Sequence, residues 1–339
     1  MNRKAWISVA IVVVAVLALA AAFQFWRSDA DSRKKPAPPV KPVLGMGWNP
    51  ANANVFIAKQ MGYFRDQGFD VTLQPYPAGR LALAALIEGK IDLAVVPETP
   101  IVFAALAGAR FSVLATLCVT GTNTVMIGRR DRGVEKPSDL AGKKLGTVSG
   151  TYAQFAQDTI LAMHKVDPRS IVLINLTAPQ TVDALMAGEV DAVTTWAPYS
   201  FELKTRLGNA AAVFGDETMQ TTTYNLLARD ELRKQHPEVV RGMLAALLRA
   251  SDLARSDPAR AVREVAQAAG LDEAVVKAEW NSMNLGLALN QTLLVAMEDQ
   301  ARWAIRQRLV EASTVPSFRE WIHVDALAAV KPDAVSVIK

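Results

Sequence analysis

A few positions carry side chains that could bind or transform a small molecule. Ser149-Gly150-Thr151 is the sharpest set. Glycine lets the backbone turn closely, the hydroxyls add neutral donors, and a helix beginning near Thr151 would aim unpaired N–H groups at whatever sits there. That chemistry suits a sulfonate, carboxylate or phosphate, although Ser and Thr are also ordinary helix N-cap residues. Trp196 could wall a pocket, and Trp48 with Asn49 makes a similar case. Glu98, followed by Thr99, could hold an ammonium or an arginine, or simply favour the start of a helix. Thr120 and Asn123 complete the polar set. Asp92 and Asp191 look like a catalytic pair. Each, however, falls at a helix-to-strand turn, where aspartate accepts hydrogen bonds from backbone N–H groups.

Nucleophilic and metal chemistry find little support. His164, His236 and His323 fall at helix ends or in the tail, and no GxSxG, HExxH, CxxC or GxxxxGK[ST] pattern is present. The single cysteine, Cys118, sits inside an apolar run and reads as a small buried hydrophobe. A binding protein rather than an enzyme is expected, with no metal and no cofactor.

The elements that position these residues alternate between strand and helix. Strands are expected over 43–47, 69–74, 91–96 and 111–119, with helices over 52–67, 81–88 and 99–107 between them. The pattern restarts with strands over 144–148, 171–176, 190–195 and 211–214, and helices over 151–165 and 181–187. In parallel α/β sheets ligands bind beyond the carboxyl ends of the strands, and that rule selects the residues named above. A segment carried twice reinforces the restart. Leu86-Ile87-Glu88-Gly89-Lys90-Ile91-Asp92 and Leu185-Met186-Ala187-Gly188-Glu189-Val190-Asp191 keep their glycines 99 residues apart. This period is too long for a solenoid unit and implies two similar α/β lobes with a cleft between them. Beyond about residue 229 the strand signal ends, and helices are expected over 231–255, 259–269, 273–281 and 291–308. Segments 123–129 and 222–229 read as two crossings between the lobes, a double hinge that permits closure. The resulting division is 1–26 signal or membrane anchor, 27–42 tether, 43–125 with 228–339 as the first lobe, and 126–227 as the inserted second lobe.

With 339 residues, 51% hydrophobic and 21% charged, the chain can bury one large core or two ordinary ones. Residues 1–41 hold seven basic and two acidic side chains, a net of +5, against +4 for the whole chain, so the remainder is near −1. A near-neutral body argues against a nucleic acid partner. Residues 7–25 form an apolar run behind Arg3-Lys4, long enough to span a membrane and long for a signal peptide core. Ala18-Leu19-Ala20 offers a cleavage site, while Arg27 and Arg33-Lys34-Lys35 on the far side weaken an N-inside orientation. Residues 27–42 are charged and proline-rich, a stiff tether.

Read in order, several motifs resemble the extracytoplasmic solute-binding proteins of ABC importers for aliphatic sulfonates, taurine and nitrate. They are Gly62-Tyr63-Phe64, Gly68-Phe69-Asp70-Val71, the two Gly-x-(Ile/Val)-Asp segments, Asp139-Leu140-Ala141-Gly142-Lys143-Lys144-Leu145-Gly146, and Trp196-Ala197-Pro198-Tyr199. The resemblance covers about residues 43–230. It implies a type II periplasmic-binding fold, a small anionic or zwitterionic solute, delivery to a membrane ABC permease, and a monomeric body outside the cytoplasmic membrane. It places Ser149, Gly150 and Thr151 on the anion-facing loop, Trp196 as the second-lobe aromatic, and Glu98, Thr99 and Thr120 to Asn123 on first-lobe contact loops. Glu98 departs from the pattern, bringing charge where many relatives are neutral. Two other readings stay open: a membrane-tethered ligand sensor, and an enzyme similar to thiamin-pyrimidine synthases, which rely on a cysteine-rich segment that this chain lacks.

Overall fold

The computed structural model describes residues 41–121, 124–215 and 221–337. The expected N-terminal helix over 7–25, most of the tether, and Asn123 lie outside the described residues. Among the described residues no helix is long and apolar enough to cross a membrane.

Two sheets form the frame. The chain first lays down β1 (Val43–Gly47), β2 (Thr72–Tyr76), β3 (Leu93–Pro97) and β4 (Ser112–Thr120). It then builds a second sheet from β5 (Thr124–Arg129), β6 (Lys144–Thr147), β7 (Val172–Asn175), β8 (Ala192–Trp196) and β9 (Ala211–Phe214). It returns to the first with β10 (Thr222–Ala228), β11 (Met283–Asn290) and β12 (Val335–Ser336). The first sheet has seven strands in the order β12-β11-β4-β10-β3-β1-β2, and the second has five in the order β7-β6-β8-β5-β9. Strands β2, β1 and β3 run parallel, as do β7, β6 and β8, while β10 and β5 lie antiparallel against β3 and β8. Such sheets need apolar cover on both faces, and buried runs such as Leu93–Val96 and Ala192–Val193 supply it.

The repeated segment has the same anatomy in both sheets. Gly89 and Gly188 both adopt φ near +73°, the left-handed conformation that ends a helix cheaply only when no Cβ is present. The aspartates then pin the parallel strands at their amino ends. Asp92 Oδ2 accepts from the Val43 N–H at 2.9 Å, and Asp191 Oδ2 from the Lys144 N–H at 2.9 Å. Each carboxylate also meets an arginine, Arg229 at 2.5 Å and Arg132 at 2.8 Å. Both acids therefore do structural work, as their turn positions imply.

Several expectations need correction. Residues 52–67 are not one helix: Ala53–Gln60 ends before Gly62, whose φ of 72° starts the short turn Tyr63–Asp66. Pro237 likewise splits the predicted helix over 231–255 into Asp230–Gln235 and Pro237–Ser256, because proline cannot donate inside a helix. The tail is not purely helical, since β11 continues the first sheet beside β4. Its residues Leu285, Leu287 and Leu289 alternate with Gly286 and Ala288, a period-2 pattern hidden between strong helices. The segments expected to be crossings are themselves strands, β5 in the second sheet and β10 in the first. The tail helices also pack mainly on other helices. Pro237–Ser256 and Pro258–Ala269 cover Ala53–Gln60, and Gln291–Arg306 lies along Glu98–Leu106.

Candidate functional site

A narrow pocket, partly open to solvent, lies between the residues of the two sheets. From the first come Gly47, Asn49, Val95, Pro97, Thr222 and Tyr224, with Ala78, Gly79 and Arg80 from the turn and helix after β2. From the second come Thr124, Thr151, Tyr152, Ala153 and Trp196.

Three helices begin at this cavity: Gly79–Ile87, Glu98–Leu106 and Tyr152–Met163. Their first residues, or the residues just before them, are in its wall. Each N-terminus carries roughly half a positive charge, so the three together favour an anion. Arg80 adds a full charge. Its Nε is buried without a hydrogen-bond partner, and no carboxylate pairs with it among the described residues. A buried guanidinium nitrogen left unpaired costs free energy unless something else completes its bonding. A Cβ built on Gly150 would stand 3.9 Å from Arg80 Cδ.

Three expected residues share this wall: Asn49, Thr151 and Trp196. Asn49 Oδ1 accepts from the Ala51 N–H at 3.0 Å, which fixes the ring of atoms after β1. Thr151 caps its helix, accepting from the Ala153 N–H at 3.3 Å and donating to the Val148 carbonyl at 2.6 Å. The aromatic Trp196 meets Tyr199 edge-on, with centroids 6.3 Å apart.

The other expected residues that the structure describes sit elsewhere. Trp48 donates its indole N–H to the Ala269 carbonyl at 2.7 Å and packs edge-on against Phe56, so it is committed to holding a tail helix. Thr120 is buried with its hydroxyl 3.4 Å from that of Ser282. The Ser149 and Gly150 N–H groups, expected to face an anion, are taken by Asn175 Oδ1 at 3.1 Å and Gln154 Oε1 at 2.8 Å.

Glu98 is the largest departure. It is fully buried and does not line the cavity. Its carboxylate accepts from the Thr223 N–H at 2.7 Å, the Thr223 hydroxyl at 2.8 Å, the Thr222 hydroxyl at 3.2 Å and Gln300 Nε2 at 2.9 Å. Thr99 donates to Gln300 Oε1 at 2.7 Å, closing the network. Burial pushes the Glu98 carboxyl above the usual carboxylate range. The acid thus ties the start of β10 to two helices, and Thr222, which it holds, is the part that reaches the cavity.

Arg80, Tyr152, Thr222 and Tyr224 are cavity residues that the strand-end reading did not name. Arg80 had a signal: it lies just beyond the carboxyl end of β2, where the same rule applies. Tyr224 had none, because β10 reads as a connection until its partners are known.

A family model described as NMT1/THI5 like matches residues 49–261. The putative binding protein YtlA of Bacillus subtilis (strain 168) is 24% identical over 218 residues, 62% of this chain and 65% of that protein, just under two thirds of its length. A putative aliphatic sulfonates-binding protein of Escherichia coli (strain K12) is 25% identical over 236 residues, 69% of this chain and 74% of that one. Among solved structures, the alkanesulfonate-binding protein SsuA from Xanthomonas axonopodis pv. citri bound to MOPS superposes with a TM-score of 0.72 at 24% identity, covering 89% of this chain and 100% of that one. The desulfurization enzyme DSZB shares the fold at a TM-score of 0.68 and 14% identity, covering 86% and 99%.

Proposed function

The chain belongs to the NMT1/THI5-like family, and on that footing we propose that it is a solute receptor that closes its two halves on a small sulfonate-like anion. The observation that carries this reading is Arg80, whose guanidinium Nε is buried without a hydrogen-bond partner among the described residues, in a cavity where three helices begin. A guanidinium presents planar paired donors to a carboxylate, sulfonate or phosphate, and helix N-termini add charge without needing a proton. The rest of the wall is mostly apolar or aromatic: Val95, Pro97, Pro100, Ala153, Trp196 and Tyr224. That lining suits a short hydrocarbon tail behind the anionic head. Relatives whose names specify sulfonates point the same way.

Binding follows from these parts. The solute's oxygens complete the bonding that Arg80 lacks, and Asn49, Thr151 and Thr222 supply neutral polar contacts. The wall is drawn from both sheets, so a full set of contacts exists only when the halves are together, and the solute favours the closed state. Delivery of a captured solute to an ABC permease, a place outside the cytoplasmic membrane and export or anchoring by residues 7–25 belong to the same proposal. Among the described lining residues there is no cysteine, histidine or carboxylate to act as nucleophile or base. Cys118 is buried in β4 with its thiol pushed far up by burial. This favours capture over reaction.

Titration calorimetry of the purified chain against ethanesulfonate, butanesulfonate, taurine, nitrate and sulfate tests the reading. Saturable binding of at least one sulfonate, stronger than that of sulfate, is expected. No heat with any sulfonate overturns it.

A further inference from the structure

The tail helix Gln291–Arg306 touches both halves of the molecule, and two of its residues one turn apart do so differently. Gln300 bonds Glu98 and Thr99, which belong to the helix at the end of β3. Trp303 turns to the other half. Its indole Nε1 donates to Asp158 Oδ2 at 3.0 Å, and its ring meets Phe155 edge-on with centroids 5.1 Å apart. Behind it, Phe103 of its own half packs edge-on at 6.0 Å. Trp303 is only 5% exposed. Asp158 and Phe155 lie on the helix Tyr152–Met163, whose first turn lines the cavity. None of the three residues Trp303, Asp158 and Phe155 lines that cavity itself.

We propose that Trp303 is a clasp that holds the two halves closed, so that solute affinity is set partly by a contact that never meets the solute. The inference rests on the reading that the halves close on a solute. Separation of the halves breaks the indole hydrogen bond to a carboxylate and uncovers the faces of Trp303 and Phe155 together. The closed state therefore gains stability from this contact alone, before any solute arrives. Apparent affinity scales with the fraction of chains already closed, so a weaker clasp lowers affinity without changing one atom of the site. Through Gln300, the same helix turn is anchored to Glu98 and so to Thr222 in the cavity wall.

Small-angle scattering on the ligand-free chain tests this without any solute. Asp158→Ala and Trp303→Phe are expected to raise the radius of gyration above that of the wild type. Asp158→Asn keeps an acceptor for the indole and is expected to stay near the wild-type value. Butanesulfonate affinity, by calorimetry, is expected to fall about tenfold in the first two variants and much less in the third. Asp158 is partly exposed, so its variants report on the clasp even if Trp303→Phe fails to fold. Folded Asp158→Ala chains as compact as the wild type overturn the proposal, and so do Asp158→Asn chains as extended as Asp158→Ala. A wild-type chain that ignores butanesulfonate overturns the sulfonate reading instead, and the scattering comparison still decides the clasp.

Discussion

Gln300 donates to Glu98 at 2.9 Å across 202 positions of chain, and this one bond changes what Glu98 is for. An acid at the carboxyl end of β3 should face the solute. Here the tail helix covers it, and Thr222, Thr223 and Gln300 satisfy its oxygens. Its carboxylate is used in joining elements, and Thr222 lines the cavity in its place.

Glu98→Ala is expected to destabilise the chain by about 1–3 kcal/mol, because buried donors lose their acceptor. The pH dependence is more diagnostic. Burial raises the folded-state pKa of Glu98 above its ordinary 4.5. The folded chain then holds this proton to higher pH than the unfolded chain, so stability from this group is full below the ordinary value and falls as pH rises toward the folded one. Glu98→Gln lacks that loss. Melting curves at rising pH should show the variant gaining on the wild type, and a gap independent of pH would contradict this.

Arg80→Ala is expected to lower the affinity for the bound sulfonate about a hundredfold, and Arg80→Lys by less, since an ammonium keeps the charge but not the paired donors. Thermal stability should hold or rise, because no protein group pairs with this guanidinium among the described residues. Calorimetry and melting of both variants check it; equal affinity in Arg80→Ala and wild type would remove Arg80 from the site.

Asp191 should matter for stability and not for binding. Burial opposes its charge, yet the Lys144 N–H and Arg132 together hold its carboxyl below the ordinary value. Stability from a depressed carboxyl is present above the unfolded pKa and is lost as pH falls through the folded one. Asp191→Ala is expected to cost about 1–3 kcal/mol near neutral pH. The difference from wild type should shrink on acidification below about pH 4. Acid melts with and without the substitution test this, and a loss of solute affinity larger than the loss of stability would count against a structural role.

Gly150 sits at φ 70° with open space around it, the nearest neighbour of a Cβ being Arg80 Cδ at 3.9 Å. Its requirement is conformational, so Gly150→Ala is expected to cost about 1–2 kcal/mol through backbone strain. Gly150→Asn, which tolerates this region better, should cost less. Chemical denaturation of the two variants would reveal an equal cost if crowding rather than φ were at work.

The strand-helix alternation, the repeat and its turn aspartates could be read locally because each depends on neighbours in sequence. Leu185 to Trp196 carries its own helix stop, turn and strand. The site was less legible. Asn49, Thr151 and Trp196 follow from strand ends, but Trp48, Thr120 and Glu98 also stand at strand ends and turn away from the cavity. What diverts them is the tail: Ala269 takes the Trp48 indole, Ser282 lies by Thr120, and Gln300 takes Glu98.

The sequence alone determined the α/β fold class, the presence of two related halves and the strand ends that reach the cavity wall at Asn49, Thr151 and Trp196, since periodicity and turn chemistry are local properties. Only the tertiary structure decided which of the polar residues there remain available. Arg80 keeps an unpartnered nitrogen while Glu98 is fully partnered, and nothing within ten residues of either could reveal it. The partners come from elements some 125 to 200 residues away, and a polar group's availability is set by what packs over it.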